Sequence, residues 1–158
     1  MPSFGKTSLS RLNTCHKDLK RVLSEAIKIK DFSVICGERG EEEQNKAYYA
    51  GYSTLKYPQS MHNSSPSLAV DIWPYDPVIK EALSGHPTQI TRIMDKTGKN
   101  ESEVKAYIRE EFLMLMGVVQ AVAYYQGVTL RFGSDWDGDG YRLDQSFDDL
   151  PHIELKKR

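Results

Sequence analysis

Two short apolar segments of this chain each contain a polar residue of a kind that binds metals. Asp71 lies within Leu68–Trp73, and His152 begins the segment His152–Leu155. Both segments have the length and the large or branched apolar residues of β-strands. Because side chains alternate along a strand, Asp71 is predicted on one face of its strand while its two apolar neighbours point into the core. If the two strands are neighbours in one sheet, Asp71 and His152 can point to a common site.

A third candidate ligand, His62, lies in the loop before the first of these strands. Two imidazoles and one carboxylate form a ligand set that zinc takes readily, and three protein ligands leave a fourth position open for water. Asp149 stands three residues before His152 and can accept that water's proton, which predicts metal-assisted hydrolysis. Asp148 competes for this role, but the three-residue spacing favours Asp149.

Each of these residues also has an ordinary structural explanation. His62 can be a surface loop residue, Asp71 can cap a turn, and His152 can be a core histidine with its hydrogen bonds made. Taken singly, each residue is better explained in this way, whereas together with Asp149 they favour a metal site. A non-heme iron oxygenase also uses two histidines and a carboxylate, but its common His-x-Asp spacing is absent, and hydrolysis explains Asp149 better.

The remaining segments predict helices around a small sheet. Asn100 and Glu103 form a capping-box-like start for the longest helix, and Gly127 is its natural stop. The predicted helices are Ser8–Lys30, Glu41–Ala50, one or two short helices within Pro77–Lys99, and a helix from Asn100 to Gln126. The further predicted strands are Phe32–Cys36 and Val128–Phe132. We therefore predict an α+β fold, a small antiparallel sheet packed against helices, with the zinc site on one sheet face.

Composition excludes several functional classes. The chain has 158 residues, 39% hydrophobic and 27% charged, which is ordinary for one soluble domain. Its formal net charge of -1 argues against nucleic-acid binding driven by a basic surplus. Cys15 and Cys36 are too few for a disulfide framework. No stretch approaches the apolar length of a membrane span, so we expect no stable membrane insertion.

An acidic turn gives a weaker metal signal. Asp135, Asp137 and Asp139 occupy positions one, three and five of an EF-hand-like loop, with Gly138 nearby and Gly140 at position six. The twelfth position is Ser146, which cannot supply the bidentate carboxylate of such a loop. An oxygen-rich turn without metal is the favoured interpretation, and a regulatory Ca²⁺ site is the alternative.

The motifs resemble those of zinc peptidases related to D-Ala-D-Ala carboxypeptidases and dipeptidases. More closely, they resemble phage endolysins that cut the L-alanyl-D-glutamate bond of peptidoglycan. That family shows Ser-x-His, then Ala-x-Asp, and later a carboxylate-x-x-His followed by x-Glu. The matching segments here are 60–62, 69–71, 149–154, 37–39 with Gln44, and 130–136. The segment from His62 to Asp71 is longer than in the family, so its loop must bulge.

The resemblance implies roles for several further residues. Arg39 would stabilise the oxyanion or hold a substrate carboxylate, a surface arginine being the equal alternative. Ser60 would orient the loop or a substrate group, and Gln44 is a further substrate or supporting residue. Glu154 falls on the same strand face as His152 and would hold the imidazole in one tautomer; a surface salt bridge is its alternative role.

The resemblance also implies the overall function. We expect residues 1–158 to form a single, monomeric Zn²⁺ peptidase domain that acts on the peptidoglycan stem peptide as an endolysin. The N-terminus, Met1–Lys6, lacks the apolar core of a signal peptide. We therefore expect synthesis in the host cytoplasm and action on the wall after release. The alternatives are a D-Ala-D-Ala carboxypeptidase or dipeptidase with the same zinc site, and a non-catalytic wall-binding module of the same fold.

Overall fold

The computed structural model describes residues 1–156, so Lys157 and Arg158 at the end of the predicted domain lie outside the described residues. Its helices are α1 Lys6–Asn13, α2 Lys17–Ile29, α3 Glu41–Tyr49, α4 Pro87–Thr97 and α5 Glu101–Tyr125. Its strands are β1 Phe32–Cys36, β2 Ala69–Asp76, β3 Glu81–Ala82, β4 Leu130–Phe132 and β5 His152–Leu155.

The strands form one antiparallel sheet in the order β1-β2-β5-β4, with β3 paired to the far end of β2. The predicted α+β class and the small antiparallel sheet are confirmed. β2 and β5 are neighbours, and their register places Asp71 directly opposite His152. The two predicted strands are therefore neighbours in one sheet, as a common site for Asp71 and His152 requires.

The predicted single helix Ser8–Lys30 is wrong, because the chain contains a break between α1 and α2. At the break the Ser67 N–H donates to the Thr14 carbonyl at 2.9 Å, and the His16 N–H donates to the Ser67 carbonyl at 2.8 Å. His16 then caps α2 by accepting from the Asp18 N–H. The break therefore ties the helical layer to the loop that carries His62.

The predicted strand end at Pro74 is also wrong, since β2 continues to Asp76. Pro74 has no N–H to donate, but its carbonyl accepts from Leu83 at 2.7 Å, and Tyr75 donates to Asp31 at 3.1 Å. Backbone hydrogen bonds from β2 to neighbouring segments therefore continue past the proline. The segment predicted to hold short helices contains the single helix α4 and the two-residue strand β3.

Two apolar clusters support the sheet. The larger cluster packs α1, α2 and α5 against the sheet, and its buried members include Leu19, Val22, Val34, Val70, Ile72, Leu115 and Ile153. The smaller cluster joins α4 to the N-terminal half of α5, and Leu150 and Trp73 pack against it. Because Leu150 follows Asp149, this second cluster also anchors the segment that enters β5.

The long helix begins and ends as predicted. Asn100 and Glu103 form a capping box, in which the Glu103 N–H donates to Asn100 Oδ1 at 3.0 Å. Gly127 follows the helix with a φ of +67°, a left-handed conformation that glycine adopts without a steric penalty. Among residues 1–156, none of the helices is both long enough and apolar enough to cross a membrane.

Candidate metal centre

Three predicted ligand atoms meet on one side of the sheet. His62 Nε2 lies 3.2 Å from Asp71 Oδ1 and 3.3 Å from His152 Nδ1, and His152 Nδ1 lies 3.3 Å from Asp71 Oδ1. Ligands bound tetrahedrally at 2.0–2.1 Å from zinc are separated from one another by about 3.3 Å. The triangle of donors therefore has the dimensions of a zinc site.

A backbone hydrogen bond fixes which nitrogen of His62 faces the other two candidate ligands. Its Nδ1 lies 2.7 Å from the Gly37 carbonyl, which can only accept, so Nδ1 carries the hydrogen. Gly37 is required here because a Cβ would overlap the Thr14 hydroxyl and the Arg11 carbonyl. The loop from His62 to Asp71 turns back at Ser67, whose backbone pairs with the α1–α2 break.

His152 is held in the opposite tautomer. Its Nε2 lies 2.9 Å from Glu154 Oε2, which leaves Nδ1 directed at His62 and Asp71. Glu154 is buried and also accepts from Arg131 Nε at 2.8 Å. Arg131 in turn lies over the ring of Trp136, with 5.5 Å between its guanidinium carbon and the ring centroid. The contacts from Trp136 through Arg131 and Glu154 thus fix the orientation of the His152 imidazole at its Nε2 side.

The pKa values of these groups show that the site favours positive charge. Burial alone lowers the pKa of His62, but the Asp71 carboxylate outweighs burial and raises that pKa to about 10. Burial likewise opposes ionisation of Asp71, yet the two histidines hold its pKa well below the usual range. The pKa of His152 is raised by Asp71 and Glu154 against the effect of burial. A carboxylate surrounded by buried imidazoles is an environment suited to a cation.

Asp149 lines the same cleft, whereas Asp148 does not. Burial, followed by the Asp71 charge, raises the pKa of Asp149 to about 6. Asp148 is instead ion-paired with Arg109 of α5, and both side chains are substantially exposed. The structure therefore separates two acids that are adjacent in sequence, and it brings only Asp149 to the predicted ligands.

Arg39 binds the other oxygen of Asp71, and Gln44 in turn binds Arg39. Arg39 Nη2 donates to Asp71 Oδ2 at 3.0 Å, and Arg39 Nη1 donates to Gln44 Oε1 at 3.1 Å. Gln44 is fully buried and donates to Ser53 Oγ at 3.0 Å and to the Leu55 carbonyl. Gln44 therefore positions Arg39 and the 53–55 loop, while Arg39 itself lines the cleft.

Ser60 organises the turn that carries His62. Its hydroxyl accepts from the His62 N–H at 3.3 Å, and its own N–H donates to Asn63 Oδ1 at 3.0 Å. These contacts cap a 3₁₀ turn over Met61–Asn63. Ser60 therefore orients the turn through these hydrogen bonds, and its predicted role towards a substrate group stays a prediction.

The cleft above the three donors has a volume of about 270 Å³. Its aromatic walls come from four separate segments of the chain. They are formed by Tyr52, Trp73, Trp136 and Phe147. Aromatic walls with a few convergent polar groups are typical of sites that bind small organic ligands.

Cys36 is a further side chain of a type that binds metals, and sequence reasoning did not select it. Its Sγ, a ring nitrogen of His62 and a carboxylate oxygen of Asp71 all lie within 4.8 Å of one another. The only sequence signal was its position at the end of a predicted strand, immediately before the Gly37-Glu38-Arg39 segment.

The acidic turn has carboxylate oxygens from Asp135, Asp137 and Asp139 within 4.8 Å of one another. Asp135 already accepts from the Gly138 N–H at 3.0 Å and the Gly140 N–H at 3.1 Å. These bonds are those of a tight turn, and the calcium site stays a prediction.

A model of the family described as phage L-alanyl-D-glutamate peptidase matches residues 2–105. The chain belongs to this family. The matched region contains Arg39, His62 and Asp71, whereas Asp149 and His152 follow it. Comparison of the sequence with curated proteins found no match.

The fold has a counterpart of known structure. The crystal structure of the Serratia marcescens L-Ala D-Glu endopeptidase ChiX is similar, with a TM-score of 0.65 and 21% identity. The similarity covers 97% of this chain and 89% of that one. At this identity the likeness shows the fold, and it covers more of the chain than residues 2–105, which the family model matches.

Proposed function

We propose that this phage L-alanyl-D-glutamate peptidase family member is a zinc-dependent endolysin that hydrolyses the L-alanyl-D-glutamate bond of the peptidoglycan stem peptide. The observation that carries the proposal is the donor triangle of His62 Nε2, Asp71 Oδ1 and His152 Nδ1, with separations of 3.2–3.3 Å. Family membership supports the peptidase activity and the scissile bond. The single domain predicted over residues 1–158 is part of this proposal.

The three donors fit zinc in type as well as in spacing. Zinc is commonly bound by imidazole nitrogen and carboxylate oxygen, and catalytic sites use three protein ligands with one open position. A bound zinc ion would polarise the scissile carbonyl and lower the pKa of its water towards ~7. Both histidines direct the required nitrogen at the site, because Gly37 and Glu154 occupy the other nitrogens. The raised pKa of His62 keeps a proton on Nε2 in the metal-free protein at neutral pH, and a metal would displace that proton.

Asp149 is the group that moves the proton. Its pKa of about 6 in the metal-free protein leaves the carboxylate mostly ionised at neutral pH, and a bound zinc ion would further favour this proton-accepting form. It would take a proton from the attacking water and deliver it to the leaving amine of the D-glutamate residue. His152 cannot share this role while its free nitrogen is used as a ligand.

Arg39 is placed to bind negative charge. Its guanidinium lines the cleft and is held by Asp71 and Gln44, so it is oriented before substrate arrives. It would stabilise the oxyanion of the tetrahedral intermediate or hold a substrate carboxylate. The surrounding aromatic side chains would exclude water from the peptide.

The test combines metal content with activity. Purified protein should contain one zinc per chain, lose peptidoglycan hydrolysis after treatment with a chelator, and regain it when zinc is restored. His152→Ala should lose both the metal and activity, while His86→Ala is the matched control because His86 is an exposed histidine that caps α4. Active protein without stoichiometric metal would overturn the zinc proposal.

A further inference from the structure

The cleft above the proposed metal ligands adjoins a second cavity on the same face of the sheet. Side chains alternate along β2, so Trp73 lies on the face of Asp71, and the register pairs Trp73 with Ser33 of β1. The pairing of β1 with β2 contains a bulge that accommodates Ile35 as an extra residue. Trp73 and Ile35 line both cavities, which therefore meet at these two side chains.

The second cavity, here called the arginine pocket, has a volume of about 510 Å³. Its walls come from α1, β1, β2, β3 and the first turns of α4. Among the described residues that line it, two arginines, Arg11 and Arg92, stand against one carboxylate, that of Glu81. Hydroxyl groups form part of the remaining wall, including those of Ser33, Ser84 and Thr88. The pocket therefore has a surplus of positive charge and neutral groups that can donate hydrogen bonds.

Both guanidinium groups keep donors for a ligand. Arg11 donates through Nη1 to the Val34 carbonyl at 3.1 Å, and it forms no ion pair within residues 1–156. Arg92 donates through Nη1 to Glu81 Oε1 at 2.7 Å. A guanidinium has five N–H donors in a planar fork, a geometry that matches a carboxylate. Arg11 is therefore a cation that the backbone of the edge strand holds beside the pocket, and its remaining donors are available.

We propose that the arginine pocket binds a free carboxylate of the stem peptide beyond the D-glutamate residue. This inference rests on the proposed function. The product that carries the new amino terminus is anionic, because D-glutamate and the C-terminal residue both contribute carboxylates. Trp73 lies two residues from Asp71 along β2, or about 7 Å, and each residue of an extended peptide spans ~3.3–3.6 Å. Two residues beyond the scissile bond therefore reach the entrance of the pocket at Trp73.

The charges around the cleft also assign a direction to the stem peptide. Another extension of the cleft lies on the side of α3 and shares Tyr52 and Arg39 with it. There Glu43 offsets Lys46, Arg39 is ion-paired with Asp71, and the first turn of α3 contains three consecutive acids. An anionic peptide segment is repelled by these acids and attracted by the arginine pocket. The L-alanine end of the substrate is therefore directed towards α3, and its C-terminus towards α4.

The test compares two synthetic stem peptides that contain the scissile bond and differ only in a free or an amidated C-terminal carboxylate. Zinc-loaded wild type should cleave the free acid with a kcat/KM about two- to tenfold higher, through a lower KM. Arg11→Gln and Arg92→Gln should lose this preference while kcat stays near the wild-type value. Arg21→Gln is the matched control and should keep the preference, because Arg21 is an exposed arginine paired with a carboxylate on α2.

Glu81→Gln should act in the opposite direction. It removes the negative charge of the pocket and releases Arg92 from its ion pair, so the preference for the free acid should increase. A merely structural role of these residues would change cleavage of both peptides alike. High salt should weaken the preference, because ions screen exposed charges.

The outcomes separate this inference from the proposed function. If zinc-loaded wild type cleaves the free acid and the amide equally well, the inference is wrong while the proposed function stands. If it cleaves neither, the proposed function fails, and calorimetric titration of metal-free protein with the peptide that begins at D-glutamate decides the role of the pocket. Tighter binding of the free acid than of the amide, lost in Arg11→Gln but not in Arg21→Gln, would support the pocket, and equal binding would overturn it.

Discussion

Gly133 lies against the main chain of Asp149. The Asp149 N–H donates to the Gly133 carbonyl at 2.9 Å, and the Gly133 N–H donates to the His152 carbonyl at 2.9 Å. A Cβ at Gly133 would overlap the Asp149 carbonyl and would lie 3.0 Å from the Cβ atoms of Asp149 and His152. The absence of a side chain at this position therefore lets the proposed base and one proposed ligand occupy their positions.

Gly133→Ala should consequently destabilise the protein by about 1–3 kcal/mol, the usual cost of overpacking. Gly117→Ala is the matched control, because a Cβ there meets no atom within 4 Å and alanine favours the helical conformation of α5 by about 0.5–1 kcal/mol. Urea denaturation of the two variants measures the difference. Equal stabilities would show that the Gly133 contact does not constrain Asp149.

The raised pKa of Asp149 predicts a pH-dependent cost to stability in the metal-free protein. Its folded pKa of about 6 exceeds the ordinary value of 3.8, so the folded state binds the proton more tightly than the unfolded chain does. The free energy of unfolding should therefore fall as pH rises from about 4 to about 6.

Asp149→Asn removes this titration and should be more stable than wild type at pH 7 by about 1–3 kcal/mol when no metal is present. The advantage should shrink as pH falls towards 4, where the wild-type carboxyl is neutral in both states. Bound zinc should also reduce it, because a nearby cation favours the carboxylate. An advantage that does not change with pH would contradict the assigned pKa.

Glu154 and Arg131, which support the His152 imidazole at its Nε2 side, should control the affinity of the site for zinc. Glu154→Gln leaves the imidazole with a weaker partner, and loss of such supporting contacts weakens metal binding by about 10- to 100-fold. Arg131→Ala should weaken zinc binding in the same direction but less, because Arg131 acts through Glu154. Competition with a chromogenic chelator measures the affinities.

Arg92→Ala is the control for Arg131, because Arg92 is an exposed arginine whose partner is Glu81 on the short strand β3. Its zinc affinity should match that of wild type. If Arg131→Ala and Arg92→Ala bind zinc equally well, the chain of contacts from Arg131 to His152 has no role in the site.

The acidic turn gives an independent prediction. If Asp135, Asp137 and Asp139 bind Ca²⁺, millimolar calcium should raise the Tm by mass action. Asp137→Ala should abolish this response, since it removes one carboxylate while leaving the Asp135 turn contacts in place. A Tm that calcium leaves unchanged in wild type would establish a turn without metal.

Much of the fold was predictable because its signals are local. The capping residues Asn100 and Glu103 and the stop at Gly127 mark the ends of α5 correctly. Strand alternation placed Asp71 on one face, and the pairing of β2 with β5 then brought His152 opposite it. These features depend on backbone geometry within a few residues or on a simple antiparallel register.

The errors arise where distant residues override a local pattern. Apolar periodicity continues from α1 into α2, but pairing of the intervening backbone with Ser67 interrupts the helix. Pro74 normally ends a strand, yet hydrogen bonds to β3 and Asp31 carry β2 past it. In both cases the deciding partner is remote in sequence.

The sequence predicted the candidate site residues and some of their supporting contacts, including that of Glu154 with His152. Sequence spacing identified His62, Asp71, Asp149 and His152, because their order resembles a family pattern. It did not identify Cys36, since the bulge that turns this side chain towards Asp71 leaves no signal in the strand sequence. The tautomer of His62 depends on the Gly37 carbonyl, which no side-chain pattern reveals.

The role of Asp149 as the base is tested most directly by identifying the amino and carboxyl termini that the enzyme creates in peptidoglycan. Purified peptidoglycan is digested with wild type, Asp149→Asn and Asp148→Asn, and the released termini are identified by mass spectrometry. Wild type should expose amino termini on D-glutamate and carboxyl termini on L-alanine. Asp149→Asn should retain zinc but cleave about 10²–10⁴ times more slowly, because it loses the proton acceptor, whereas Asp148→Asn should stay near the wild-type rate. New termini at D-alanine would instead indicate the carboxypeptidase alternative. Wall binding by zinc-loaded wild type without any new termini would contradict the account and favour a binding module.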